Sequence, residues 1–242
     1  KKAMEISCKK CGCADYTLSG KSGEKQRYKC RSCGCNFVEG NARVKVNSES
    51  KALAVVLYGS GKSSYRFIGK IFKSSPSTIQ SWVKSTAEEI PEPDIGSDIK
   101  EVEFDEMWHF VNKKKNKIWI WRAIERVENK TIGWLVGDRS AKTFEKFFER
   151  FKGLKHAVFY TDDYEVYEKI IPKNTHKSGK KYTIKIEQNN SNVRHFLGRM
   201  TRRTKVVSRS VEMVLASLKL CWYLNECGGF SELQKKFMNL FY

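Results

Sequence analysis

Apolar positions are sparse and strand-like at the start of the chain. Tyr16-Thr-Leu-Ser and Gln26-Arg-Tyr-Lys read as two short strands around the turn Gly20-Lys-Ser-Gly23. From about Ser48 the spacing becomes helical. Leu53, Val56 and Leu57 share one face before the breaker Gly59-Ser-Gly61, and a second short helix, Ser64 to Phe72, turns Phe67, Ile68 and Ile71 inward. A third helix starts at Pro76, capped by Ser74 or Ser75, and contains Ile79, Trp82 and Val83. Its other face would expose Ser77, Thr78, Gln80, Ser81 and Lys84.

After Pro91-Glu-Pro-Asp-Ile-Gly-Ser-Asp98 the period shortens to that of strands. Glu101 to Val111 alternates, Lys117 to Ile124 is an apolar run, and Thr131 to Val136 is a third strand, joined by short basic turns into an antiparallel meander. A helix capped by Ser140 aligns Phe144, Phe147, Phe148 and Phe151. A fourth strand, Ala157 to Tyr160, stops at Thr161-Asp162-Asp163. Meander, crossover helix and further strand predict an α/β domain with a mixed sheet. Val211 to Glu226 reads as a packing helix containing Cys221.

Cysteine spacing adds a metal centre. Cys8-x-x-Cys11 and Cys30-x-x-Cys33 match a four-thiolate zinc site, leaving Cys13 and Cys35 surplus. Zinc would staple a ribbon too small to fold on a core alone; disulfides are the weaker alternative. The expected organisation is a zinc ribbon (1–42), a helix-turn-helix (45–90), a linker (91–99) and an α/β domain (100–242).

The chain of 242 residues carries 46 Lys+Arg against 27 Asp+Glu, a net charge of +19, which favours a polyanionic partner. The charge is segregated: residues 171–210 hold eleven bases and one acid, Glu187, whereas 91–110 hold seven acids and one base. A uniform solubility coat would not divide in that way. With 40% hydrophobic residues the chain can build cores and is not disordered. No run approaches the roughly 18–20 apolar residues of a membrane span, and no apolar signal core follows Lys1, so a cytoplasmic, nucleoid-associated protein without a membrane partner is expected.

Asp105 within the first strand and Asp162 at the end of the fourth are costly positions for carboxylates unless they are hydrogen-bonded or bound to a cation. Asp162 could also simply cap the following helix. On a helix through Glu187, Val193, Phe196, Leu197 and Met200 form the apolar stripe, while Asn190 and Arg194 share a polar edge with Glu187. Three carboxylates would suit hard divalent cations and phosphoryl transfer, with the basic run Arg199, Arg202, Arg203, Lys205 and Arg209 on the phosphodiester backbone. The strand tryptophans Trp108, Trp119, Trp121 and Trp134 read as core. His109 and His195 lack metal-ligand spacing.

Phe104-Asp-Glu-Met-Trp-His109, Lys113 to Trp121, Gly137-Asp-Arg-Ser140, Tyr160-Thr-Asp-Asp163, Ile186-Glu-Gln-Asn-Asn-Ser-Asn-Val-Arg194 and Thr201 to Ser208 together resemble the transposases of the bacterial insertion-sequence type 1 family. The resemblance implies an RNase H-like DDE catalytic domain that cuts and rejoins DNA with Mg²⁺ or Mn²⁺. By motif position it assigns Asp105, Asp162 (or Asp163) and Glu187 as the catalytic acids. Ser77, Thr78, Gln80, Ser81, Lys84, Asn190, Arg194 and the basic run are then expected to contact double-stranded DNA, namely the element's inverted-repeat ends and the target. Pairing two ends requires a homodimer or a larger assembly. The competing readings are a DNA-binding repressor with a degenerate catalytic domain and a metal-dependent nuclease that never joins DNA.

Overall fold

The computed structural model describes residues 6–38, 48–201 and 204–241. Arg202 and Arg203 lie outside them. The chain divides into two compact units, 1–47 and 48–242. In the first, β1 (Tyr16–Ser22), β2 (Lys25–Cys30) and β3 (Asn36–Val38) form an antiparallel sheet in that order. Its core is small: Cys8, Tyr28, Cys30 and Phe37 are buried, with the Tyr16 ring edge-on to Tyr28.

The second unit opens with three helices, α1 (Ser48–Gly59), α2 (Tyr65–Ile71) and α3 (Pro76–Glu89). Ser64 Oγ accepts from the Phe67 N–H and Ser75 Oγ from the Thr78 N–H, so each of the last two helices starts on a serine cap, with Pro76 in the first turn of α3. On α2 only Ile68 points fully inward. Phe67 is 53% and Ile71 49% exposed, which corrects the expectation that both are buried. With seven residues, α2 has room for about one inward turn. Gly69 fills the next inward position, where a Cβ would meet the Ser74 carbonyl oxygen at 2.5 Å.

The sheet of this unit holds β4 (Glu101–Phe110), β5 (Lys117–Glu125), β6 (Lys130–Gly137), β7 (Val158–Thr161) and β8 (His176–Ser178) in the order β6-β5-β4-β7-β8. β4, β5 and β6 are an antiparallel meander, and β7 and β8 continue parallel to β4. This is the RNase H-like arrangement of strands. Alternation along β4 gives the sheet two different faces. Phe104 faces α4 (Ala141–Phe148) and the 3₁₀ turn after it, in contact with the rings of Phe144, Phe147, Phe148, Phe151 and Phe159. Ser140 caps α4 as the sequence predicts. α5 (Glu165–Ile170) lies on the same side through Val166 and Tyr167.

Met107 faces α6 (Ile184–Phe196) and α7 (Val211–Glu226), and with Val193, Leu197, Met200, Val214 and Leu218 forms a second core. α7 has the bounds that its periodicity predicts. A last helix, α8 (Gly229–Met238), places Leu233 and Phe237 in one core with α1, α2, α3 and α7. The helices before residue 90 and those after 210 therefore share a single apolar cluster, and the 91–99 segment runs between two halves of one compact unit. Trp121 and Trp134 are buried, whereas Trp108 is exposed and carries the Lys117 ammonium 5.4 Å from its ring. Among the described residues no helix is long and apolar enough to cross a membrane.

Candidate functional site

The ribbon brings its predicted ligands together. The sulfurs of Cys8, Cys11, Cys30 and Cys33 all lie within 4.8 Å of one another, with Cys8 to Cys33 and Cys11 to Cys30 each at 3.6 Å. A tetrahedron of Zn–S bonds of about 2.3 Å has edges of about 3.8 Å, so the quartet fits zinc. Both knuckles have the same backbone design. The Gly12 N–H donates to the Cys8 carbonyl at 2.7 Å and the Gly34 N–H to that of Cys30 at 3.0 Å. Both glycines have positive φ (76° and 67°), a conformation that a side chain at either position would strain. Backbone N–H groups of Cys11 and Lys10 lower the Cys8 thiol to about 6, favouring the thiolate a metal needs. Cys13 and Cys35 stand outside the quartet. Cys13 Sγ accepts from the Ser32 hydroxyl at 3.0 Å, and Cys35 Sγ donates to the Asn36 carbonyl.

In the larger unit two of the predicted carboxylates, Asp105 and Asp162, lie at one level where β7 ends. The parallel register pairs Glu103 with Tyr160 and, continued by two residues, sets Asp105 level with Asp162. β7 ends at Thr161, whereas β4 continues to Phe110. Burial, then the carboxylates of Glu106 and Asp162, push Asp105 up to about 7 against the opposing donors, the Glu106 N–H and the Asn190 amide. The pair Asp105 and Asp162 would suit a hard divalent cation. Asp162 Oδ1 accepts from the Tyr164 N–H at 3.1 Å, and Asp163 is exposed.

Glu187 sits exposed in the first turn of α6, its Oε1 accepting from the Thr183 hydroxyl at 3.2 Å. Three residues on, Asn190 donates to Asp105 Oδ2 at 2.7 Å, so the edge of α6 that carries Glu187 is the one turned toward Asp105. Among the described residues only the cysteines form a group of three or more ligand atoms gathered closely enough for one metal; the two aspartates and Glu187 do not.

Two acids that the sequence did not single out hold this arrangement. Glu103, on the Asp105 face of β4, accepts from the Ile186 N–H at 2.9 Å and from Arg126 at 2.8 Å, fixing the start of α6. Glu106, on the opposite face, accepts from Arg139 Nε at 2.8 Å and the Tyr167 hydroxyl at 2.7 Å, and burial raises it. The signal for both was present in an acid-rich strand; its face-by-face use depends on partners distant in sequence.

The residues predicted to contact DNA divide by exposure. Ser77, Gln80 and Ser81 are exposed on α3, and Thr78 is half-buried beside the cap. Lys84 reaches Glu212 at 2.6 Å and Glu88 at 3.9 Å. Lys205 and Arg209 are exposed. Asn190 is only 6% exposed, its amide spent on Asp105 and Arg122. Arg199 is buried, donating to Tyr58, Tyr65 and Ser208. Arg194 Nη1 lies 3.5 Å from the Met200 carbonyl oxygen.

Residues 99–225 match the family model described as IS1 transposase. Over 111 residues the chain is 31% identical to the insertion element IS1 protein InsB of Shigella flexneri and 32% identical to the iso-IS1n protein InsB of Shigella dysenteriae, covering 46% of this chain and 85% of each relative. Among solved structures it is similar to the catalytic core domain of BIV integrase, with 13% identity and a TM-score of 0.36 over 60% of this chain and 99% of that one. With the family model spanning more than half of its residues, this chain belongs to the IS1 transposase family.

Proposed function

We propose that the protein binds the inverted-repeat ends of its insertion sequence and catalyses metal-dependent cleavage and strand transfer of DNA. The observation that carries this reading is the register of β4 and β7, which sets Asp105 level with Asp162 just past the end of β7, with the Glu187 edge of α6 turned toward Asp105. Asp105, Asp162 and Glu187 would hold the divalent cations, Mg²⁺ or Mn²⁺. Bound there, the ions would activate the attacking oxygen and stabilise the leaving one.

In cleavage a water oxygen forms a bond to phosphorus while the P–O3′ bond breaks, leaving a 3′-hydroxyl and a 5′-phosphate. In joining, that 3′-hydroxyl attacks a target phosphodiester and the target's own 3′-oxygen leaves. The exposed polar face of α3 (Ser77, Gln80 and Ser81, with Thr78 at its edge) would read the ends as the second helix of a helix-turn-helix. The basic residues Arg194, Lys205 and Arg209, with Arg202 and Arg203, would hold the backbone. Zinc on Cys8, Cys11, Cys30 and Cys33 would make the ribbon rigid enough to add contacts. Holding two ends at once calls for a homodimer or larger assembly on DNA.

The test is joining of DNA that carries the sequences bracketing the gene, with Mg²⁺, comparing wild type with Glu187→Gln. Joined product from wild type alone is the expected result. Nicked but never joined DNA would make the protein a nuclease, and binding without cutting by either protein would make it a repressor.

A further inference from the structure

Resting on the reading of Asp105 as a metal-binding carboxylate, we propose that Arg122 is a positioning residue for the active site. Through the Asn190 carboxamide it fixes which oxygen Asp105 presents to the cation. Arg122 lies on β5 directly across the ladder from Asp105, so both side chains leave the sheet on the α6 face. It is 3% exposed, and its guanidinium makes three short bonds: Nη1 to Asn190 Oδ1 at 2.6 Å, and Nη2 to Thr131 Oγ1 and to Asn189 Oδ1, each at 2.7 Å.

A carboxamide has an accepting end and a donating end. The guanidinium has only donors, so it takes the Asn190 oxygen, and the Asn190 NH₂ is left to face Asp105 Oδ2 at 2.7 Å. The flipped amide would set donor against donor at Arg122 and oxygen against carboxylate at Asp105. The guanidinium therefore decides the orientation of the amide, and the amide holds Oδ2, so that Oδ1 is the oxygen of Asp105 that Asn190 does not take.

The far side of the guanidinium is anchored too. Glu226, at the end of α7, accepts from the Thr131 N–H at 2.6 Å, the Thr131 hydroxyl at 3.0 Å and the Asn189 amide at 3.3 Å. Arg122 thus lies between Glu226 and Asp105, and the polar chain Glu226, Thr131 and Asn189, Arg122, Asn190, Asp105 crosses the α6 face of the sheet. A buried cation is not needed for stability alone, since apolar side chains of similar volume fill such space as well or better. A role in setting a ligand's orientation accounts for the charge.

The test uses the full-length, zinc-loaded protein and two variants, Asn190→Ala and Arg122→Lys; the lysine keeps the charge but cannot make the fork of bonds. Mn²⁺ binding by calorimetry and the Mg²⁺ dependence of cleavage are read alongside the melting temperature. Loss of a group that orients a metal ligand costs about 10–100-fold in metal affinity. The expected result is therefore at least a tenfold rise in both the Mn²⁺ dissociation constant and the half-saturating Mg²⁺, in protein that still melts cooperatively. A lowered melting temperature with wild-type Mn²⁺ affinity in either folded variant would reduce Arg122 to a structural part and overturn the proposal. Asp105→Asn is run in parallel. If it binds Mn²⁺ and cleaves like wild type, the parent reading has failed; if it loses both while Asn190→Ala and Arg122→Lys do not, only the positioning role has failed.

Discussion

Arg199 Nε donates to the Tyr58 hydroxyl at 2.7 Å, a bond that ties the segment following α6 to the first helix of the chain's helical cluster. The same guanidinium reaches the Tyr65 hydroxyl at 3.0 Å and Ser208 Oγ at 3.4 Å, and the rings of Tyr58 and Tyr65 stack 4.7 Å apart beside it. Nearby, the Lys62 N–H donates to the Phe196 carbonyl at 3.1 Å, so the end of α6 is fastened to the α1–α2 turn twice.

Arg199 was expected to be a phosphate contact, but its donors are used internally. Arg199→Ala should cost about 3 kcal/mol of stability, because it removes several charge-assisted bonds and strands their buried partners. Urea unfolding measures this. The folded fraction should bind DNA with an unchanged salt slope, whereas Lys205→Ala and Arg209→Ala, both exposed, should each lower the slope by about one. A wild-type urea midpoint in Arg199→Ala would remove the clamp.

Where a local pattern carries its own geometry, the sequence was sufficient. Val211 to Glu226 is a helix with those bounds, Ser140 is a cap, and the two Cys-x-x-Cys knuckles meet. Periodicity shows that a helix is amphipathic but not what covers it. Phe67 and Ile71 were therefore placed inside although α2 is too short to bury them, and the packing of α8 onto the core of α1 was not foreseen. Strand β8 was missed because His176-Lys-Ser178 has no apolar alternation; its order comes from pairing with β7 and from the bond between His176 Nε2 and Thr161 Oγ1 at 2.8 Å. In the site, the acids could be read from their improbable positions. Asn190 was placed on the edge of Glu187 but as a DNA contact, whereas its amide is spent on Asp105; Arg122 and Asn189 could not be read, because their partners are side chains up to 68 positions away.

Zinc removal should act on one unit only. Binding of a structural zinc is worth on the order of 10 kcal/mol, more than a core of four buried residues can replace. Cys8→Ser or Cys30→Ser should therefore lose the metal and leave residues 6–38 open to protease. The unit 48–242 has its own cores and should keep its melting temperature. Cys13→Ser and Cys35→Ser should retain one zinc per chain. Metal analysis and limited proteolysis decide it: zinc retained in Cys30→Ser would rule out the quartet.

His109 gives the fold an acid-sensitive point. Its ring is buried against Ser208 Oγ at 2.8 Å, and burial, then the charges of Arg199 and Arg194, lower its pKa to about 4 from an ordinary 6.5. The unfolded chain therefore binds the proton first as pH falls. The contribution of His109 to stability is complete above about pH 6.5 and is lost progressively down to about pH 4, a total of roughly 3 kcal/mol at 1.36 kcal/mol per unit. Urea midpoints at pH 7 and pH 5 for wild type and His109→Gln should differ in slope, with the wild type losing about 2 kcal/mol more on acidification. Parallel losses in the two proteins would mean that His109 does not carry the dependence.

Asp162 and Asp163 are adjacent in sequence, but only one is level with Asp105. Asp162 follows β7 directly at the register position of Asp105 and is half-buried, and its charge adds to the upward pressure on both Asp105 and Glu106. Asp163 is exposed. Asp162→Asn should therefore lower end cleavage by about a thousandfold or more, equivalent to about 4 kcal/mol of transition-state stabilisation, with DNA binding retained. Asp163→Asn should stay within a few fold of wild type. Single-turnover cleavage under saturating Mg²⁺ separates the two, because binding differences then drop out of the rate. If Asp163→Asn is the dead variant, the backbone after Thr161 must turn its second aspartate inward when metal and DNA are bound, and the Tyr164 N–H bond that now holds Asp162 at 3.1 Å would have to break.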